Sequence, residues 1–195
     1  MRIEQTSLVS RPAALGSLLP KPKGAKDVMT AQARSGDPTI DEDAPVVSSA
    51  EAEIDAPIEA VWSILTAIGR WPAWNPDVKS ASLDGLTVEG ATFRWKAGPS
   101  TISSTVVRFD APRLIAWTGR TLGIRAVHVW RLQSKNGRTL ARTEESYEGF
   151  VARILRRPLQ KMLDRTLTDG VHHLKIEAER SGRRPESDPI AGHAR

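Results

Sequence analysis

Apolar and polar residues alternate through the middle of the chain, over residues 78–147. Phe93 and Trp95 alternate with the charged residues Arg94 and Lys96, and in the segment 124–132 every second position is apolar or aromatic except His128. This period of two predicts β-strands with one face toward a core and the other toward solvent. Turn signals at intervals of roughly a dozen residues favour consecutive antiparallel hairpins over a parallel sheet. They are Asp84-Gly85, Gly98-Pro99, Asp110-Ala111-Pro112, Gly123 and Asn136-Gly137.

Helical patterns lie on both sides of these strands. Before them, a first strand is predicted at 45–55, and a short helix follows it, because apolar residues recur after Pro57 at helical spacing. The run 70–76 holds two prolines and two tryptophans, so it predicts only a single turn. From Phe150 to Ser181 apolar residues recur at i, i+3 and i+4. This spacing predicts one long helix. Pro158 either kinks this helix or marks the start of its regular part.

Together these elements predict one α+β domain over residues 45–181. A seven-stranded, curved antiparallel sheet needs a cover on its apolar face, and the long C-terminal helix is the largest element available for it. Two short helices follow the first strand. The preceding residues, 1–44, contain no aromatic residue and four prolines, with Met1 and Met29 as candidate starts. We expect residues 1–44 to be a disordered extension and residues 182–195 a disordered tail.

Composition excludes several classes of protein. The chain has no cysteine, which rules out disulfides and thiolate metal sites, and its four histidines are too scattered to predict a zinc site. No apolar run approaches the ~18 residues that a membrane span needs. The net charge of +5 is modest, and a solvated basic face accounts for it more simply than binding to RNA or a membrane. We therefore expect a cytoplasmic monomer or homodimer with no cofactor, no metal, no nucleic-acid partner and no stable membrane insertion.

The dipeptide Asn136-Gly137 predicts a tight hairpin and fixes the register of the strands on either side. In that register His128 lies directly opposite Glu145 on the apolar face. The same register pairs Lys135 with Arg138, Trp130 with Thr143, Ala126 with Tyr147, Arg125 with Glu148, and Arg131 with Arg142. The last of these pairs joins two cations and is unfavourable.

A carboxylate beside an imidazole orients the ring and suits it to acid–base work. Three interpretations of His128 and Glu145 remain open: a polar patch that satisfies itself, a ligand-recognition site, or a catalytic pair. The sequence has no phosphate-binding glycine loop and no serine-nucleophile motif. Any chemistry would therefore be proton transfer without a cofactor.

The residues that flank this pair are candidates for the wall of a ligand site, and the same side chains would serve equally well as core. They are Trp62, Trp74, Phe93, Trp95, Trp117, Trp130, Thr143, Tyr147, Leu159 and Met162. Trp74 lies on a predicted loop, where it either contributes to function or caps one end of the sheet. Arg156-Arg157, near the start of the long helix, either guides an anionic ligand or belongs to a solvated face.

Several short segments resemble the SRPBCC (START-like) superfamily, and within it the polyketide cyclase/dehydrase and lipid-transport group. The segments are Ile54-Asp55-Ala56-Pro57 with Val61-Trp62, the run 71–76, Arg113-Leu114-Ile115-Ala116-Trp117, the strand around His128–Trp130, and Glu144-Glu145 before Gly149. The resemblance spans residues 46–181 and implies a helix-grip fold with a deep apolar cavity between sheet and C-terminal helix.

Members of this group range from carriers to aromatases, so the resemblance leaves the activity open. The leading expectation is a carrier or sensor of a small hydrophobic molecule that is lipid-like, isoprenoid or aromatic and polyketide-like. The main alternative is a polyketide-type cyclase or dehydratase that uses His128 and Glu145 for acid–base chemistry. A third hypothesis is interaction with ribosomal RNA or a membrane through the basic C-terminal helix.

Overall fold

The computed structural model describes residues 38–182, which contain one seven-stranded antiparallel sheet and four α-helices. The strands are β1 Val46–Ile54, β2 Val78–Leu83, β3 Thr92–Ala97, β4 Ser100–Asp110, β5 Leu114–Thr121, β6 Ile124–Lys135 and β7 Arg138–Glu148. The helices are α1 Ile58–Thr66, α2 Trp71–Trp74, α3 Phe150–Ile154 and α4 Arg156–Gly182, with a 3-10 turn at Ile68–Arg70.

The strands follow the spatial order β1-β7-β6-β5-β4-β3-β2. The first strand of the chain therefore pairs with the last, and the others are joined in sequence by hairpins. Helix α4 packs against β1 and β7, and α1 packs against α4. We call the sheet face that contacts the helices the inner face and the opposite one the outer face. The predicted curved sheet wrapped around a long C-terminal helix is confirmed.

The register that Asn136-Gly137 predicts is also confirmed. Both residues have positive φ, 52° and 79°, as a two-residue type I′ turn requires. His128 pairs with Glu145 across β6 and β7, and all the other predicted pairs occur. The unfavourable pair, Arg131 opposite Arg142, lies on the outer face with Glu144, whose carboxylate is 2.7 Å from Arg142 and 3.7 Å from Arg131.

The C-terminal helical region is divided where a single helix is predicted. Helix α3 ends at Ile154, and α4 begins at Arg156 and contains Pro158 in its first turn. Proline has no N–H, and its ring crowds the carbonyl four residues earlier, which here belongs to Ile154. The break at Leu155 follows from these two effects.

The contacts of the domain begin before the predicted boundary at residue 45. Ile40 packs on the outer face against Leu114, Ala116 and Val129. The guanidinium of Arg131 donates a hydrogen bond to the Pro38 carbonyl at 2.9 Å. Of the predicted disordered regions 1–44 and 182–195, residues 1–37 and 183–195 lie outside the described residues.

Candidate functional site

His128 is the polar centre of an otherwise aromatic part of the inner face. Its ring lies between those of Trp117 and Trp130, with centroid separations of 4.6 Å and 6.0 Å. Trp117 is its cross-strand partner on β5, and Trp130 is two residues along the same strand. Because alternate residues of a strand share a face, the sheet register alone brings these three rings together.

Both ring nitrogens of His128 face side chains of β7. Nε2 lies 2.7 Å from the hydroxyl of Thr143, which is fully buried. Nδ1 lies 3.4 Å from the Glu145 carboxylate, longer than a good hydrogen bond, and forms no hydrogen bond within residues 38–182. The order carboxylate, imidazole, hydroxyl is that of a hydrolase triad, but the burial of Thr143 keeps its oxygen from acting as a nucleophile.

The His128–Glu145 pair is not sealed from outside. The two side chains remain 10% and 9% exposed, respectively, whereas the Thr143 residue beside them is fully buried. The pair therefore keeps a small solvent-accessible surface.

Tyr147 lies one step further along the inner face, opposite Ala126. Burial, with a further contribution from the charge of Glu145, raises the pKa of the Tyr147 phenol well above its ordinary range. The phenol is therefore neutral at physiological pH and carries a hydroxyl that can donate or accept a hydrogen bond.

Aromatic side chains form the rest of this region, and Trp71 is at their centre. Its ring contacts those of Phe93, Trp95 and Trp117 at centroid distances of 5.6, 5.7 and 5.5 Å. Its indole N–H donates to the Leu65 carbonyl at 2.8 Å. The sequence analysis selected Trp74 as a candidate ligand-binding residue and missed Trp71. The two tryptophans are three residues apart in one turn, so either could have been expected to contact the core.

The remaining predicted wall residues are distributed more widely. Trp62 stacks at a tilt on Phe109, with 5.1 Å between ring centroids, and the Trp95 indole donates to the Ser104 hydroxyl at 3.1 Å. Leu159 packs in a second apolar cluster, which includes Tyr147. Met162, predicted to bind ligand, is 48% exposed, so about half of it faces solvent.

The buried side-chain nitrogens that have no hydrogen-bond partner within the described part of the chain include Trp74 Nε1, His128 Nδ1 and His173 Nδ1. Buried polar atoms are nearly always satisfied, so an unpaired one indicates a place where water or ligand supplies the partner. His173 was not among the predicted site residues. Only its place beside the apolar stripe of the long helix could have indicated it.

Two grooves lie outside the interior. One, of about 400 Å³, is on the outer face of β2 to β5, between Arg94 and Arg120. The other, of about 420 Å³, runs along the edge of the sheet between Ile40 and Asp164. The predicted cavity between sheet and helix is neither of these. The case for an interior site therefore depends on the accessibility and unpaired nitrogens of the polar residues.

Within residues 38–182 no cluster of three or more histidine or acidic side chains is placed to hold a metal ion. In the same range, no helix combines the length and apolar character needed to cross a bilayer.

The curved antiparallel sheet wrapped around a long C-terminal helix defines the helix-grip fold class. The sequence matches the model of the polyketide cyclase/dehydrase and lipid transport family over residues 45–179. The chain belongs to that family.

Solved structures show the same fold. A hypothetical protein, jhp0584, from Helicobacter pylori has a TM-score of 0.64 at 14% identity, covering 75% of this chain and 99% of that one. The Zhui aromatase/cyclase from Streptomyces sp. R1128 has a TM-score of 0.63 at 17% identity, covering 70% and 95%. A START superfamily protein from Mycobacterium smegmatis has a TM-score of 0.60 at 16% identity, covering 69% and 98%. No curated protein matches the sequence.

Proposed function

We propose that this protein binds a small hydrophobic molecule carrying at least one polar group, and acts as its carrier or sensor. The observation that supports this most is the set His128, Thr143 and Glu145, a polar centre enclosed by tryptophans yet partly accessible. Pockets that are mostly apolar with a few placed polar groups are typical of small-molecule sites.

The 3.4 Å separation of His128 Nδ1 from Glu145 favours a recognition role. A hydroxyl or carbonyl of the ligand would improve on this long contact by bonding to either group. The flanking rings of Trp117 and Trp130 would supply the apolar contact. The neutral phenol of Tyr147 offers a further hydrogen bond to the same ligand.

The environment of His128 also favours binding over catalysis. A general base must present a free ring nitrogen to its substrate. Here Nε2 is engaged by the Thr143 hydroxyl and Nδ1 faces a carboxylate. A ligand can add a hydrogen bond to an imidazole or carboxylate that already has a protein partner. A substrate that needs a free ring nitrogen would first have to displace that partner.

The second candidate is a cyclase or dehydratase that uses His128 and Glu145 as its acid–base pair. The observation that favours it is the pairing of imidazole and carboxylate in a partly accessible apolar site. The Zhui structure, described as an aromatase/cyclase, shares the fold.

Native mass spectrometry of the full chain, followed by identification of any molecule that co-purifies, tests the proposal directly. Tryptophan emission should then report binding of that molecule, or of an apolar fluorescent probe, at micromolar levels, or ~8 kcal/mol. His128→Gln should weaken binding about five- to tenfold, the effect of one lost hydrogen bond. Arg125→Gln, on the exposed outer salt bridge with Glu148, is the matched control and should not change binding.

The two candidates differ in turnover. For a carrier, wild type converts no tested ligand, and the His128 and Glu145 variants lose affinity. For an enzyme, His128→Ala and Glu145→Gln abolish turnover while affinity stays within a few-fold. If a broad panel of lipids and aromatic compounds changes neither the emission nor the melting temperature, both candidates are wrong.

A further inference from the structure

Six consecutive residues, 153–158, are all exposed at the junction of α3 and α4. Ile154 and Leu155 are among them, and Phe150 just before them is 75% exposed. Large apolar side chains that project in a group, and not singly, indicate an interaction surface.

Leu122, in the turn between β5 and β6, adds an independent observation. It is 77% exposed and has a φ of 43°. Asn, Asp and Gly accept this left-handed conformation, whereas for leucine it costs roughly 1–2 kcal/mol. An exposed leucine in a strained turn contributes nothing to the core that would offset this cost, so the strain points to a function for the side chain.

The turn and the helix junction lie side by side at one end of the domain. A Cβ on Gly149 would lie 2.3 Å from the Gly123 carbonyl oxygen, and a Cβ on Gly123 would lie 3.3 Å from Val151. Only glycine permits this approach. We call the resulting surface, made of Leu122, Phe150, Ile154 and Leu155, the apolar tip.

Positive charge borders the apolar tip. Between residues 149 and 163 the chain carries Arg153, Arg156, Arg157 and Lys161 and no acidic residue. The adjacent Glu148 is paired with Arg125 at 2.9 Å. The exposed apolar residues Ile154 and Leu155 therefore have exposed arginines on both sides of them along the chain.

We propose that the apolar tip docks this protein on the surface of an anionic phospholipid membrane. Exposed apolar side chains beside arginines and lysines match the layered chemistry of a bilayer surface, where phosphates lie above acyl chains. An acidic protein would satisfy the cations, but its charged surface would give the four large exposed apolar side chains no apolar partner. The docking concerns the protein surface and does not depend on which ligand the interior holds.

Flotation of the full chain with phospholipid vesicles tests this. Wild type should bind vesicles of phosphatidylcholine mixed with phosphatidylglycerol and not vesicles of phosphatidylcholine alone, and salt should weaken the binding. Arg156→Gln with Arg157→Gln should lower partitioning about 25-fold, because each basic residue near an anionic surface contributes a factor of about five. The control, Lys135→Gln with Arg180→Gln, removes two exposed cations far from the tip and should leave partitioning unchanged.

Leu122→Asn separates docking from folding. Asparagine suits the positive φ, so the melting temperature should stay the same or rise while vesicle binding falls at least about fivefold. Leu86→Asn, at an exposed leucine in the β2–β3 loop, is its control and should bind as wild type does.

Three outcomes would overturn the proposal: no binding of wild type to anionic vesicles, equal binding to neutral vesicles, or binding that Leu122→Asn and the double arginine variant leave intact. The proposal would also be wrong if wild type did not bind vesicles but formed a dimer that Leu122→Asn dissociates. The apolar tip would then be an interface with a second copy of the chain.

Discussion

His128 and Glu145 are directly opposite each other on neighbouring strands, and the imidazole of one lies 3.4 Å from the carboxylate of the other. The turn at Asn136-Gly137, at the far end of both strands, sets this relationship. A shift of one residue in this pairing would place the two side chains on opposite faces of the sheet. The candidate site thus depends on the geometry of a turn that it does not touch.

Thr143→Val should destabilise the fold by about 1–3 kcal/mol, because it leaves His128 Nε2 without its buried partner. Urea unfolding measures the change. Thr101→Val is the control on an exposed position of β4, where we expect a change within about 0.5 kcal/mol. A Thr143→Val protein as stable as wild type would show that the hydroxyl does not bond to the ring.

Tyr147 should remain un-ionised in the folded protein well above pH 10, since burial and Glu145 raise its pKa. The unfolded chain loses this proton first, so stability is fully present below about pH 10 and falls as pH rises beyond it. Tyr147 is the single tyrosine of the chain, so tyrosinate absorbance reports it alone. In Glu145→Gln, tyrosinate should form at lower pH than in wild type. An unchanged titration curve would show that the charge of Glu145 does not raise the pKa of Tyr147.

Leu163→Asp should prevent folding or leave the protein insoluble. Leu163 is fully buried, and an unpaired charge there costs several kcal/mol. The neighbouring Met162→Asp is the matched control, because Met162 is about half exposed and should tolerate the charge. Circular dichroism and solubility distinguish the two variants. If both fold equally well, the stripe of α4 does not face the sheet.

A chain that begins at Val46 should be less stable than one that begins at Pro38 by about 2 kcal/mol, mainly through the loss of Ile40 from the outer face. Ile40→Ser in the full chain should reproduce most of this loss. Equal melting temperatures for the two shortened chains would mean that the contacts of residues 38–45 contribute nothing to stability.

The sheet could be predicted from sequence because its signals are local. Alternation defined the faces, and one Asn-Gly turn defined the register, down to the pairing of His128 with Glu145. The opposed cations Arg131 and Arg142 argued against that register. Glu144 resolves the conflict: it shares the outer face with Arg142, two residues away, and approaches both guanidinium groups.

The features that could not be predicted depend on contacts distant in sequence or on a balance of small energies. Ile40 covers the outer face, but nothing in its own neighbourhood marks it as part of the domain. The place of the helix break depends on how Pro158 and the packing of α4 compete. Trp71 and Trp74 occur in one short turn, and only tertiary structure decides which one takes the centre of the aromatic cluster.

The position of β1 at the edge of the sheet, beside β7, has a consequence for how the protein forms. As the chain leaves the ribosome, the first strand appears long before its partner, and its hydrogen-bonding groups stay unpaired until nearly the whole domain has been synthesised. The hairpins from β2 to β7 can assemble earlier, since their contacts are local. Closure of the sheet is therefore a late event, and until then the exposed edges of β1 and β7 are open to pairing with other nascent chains.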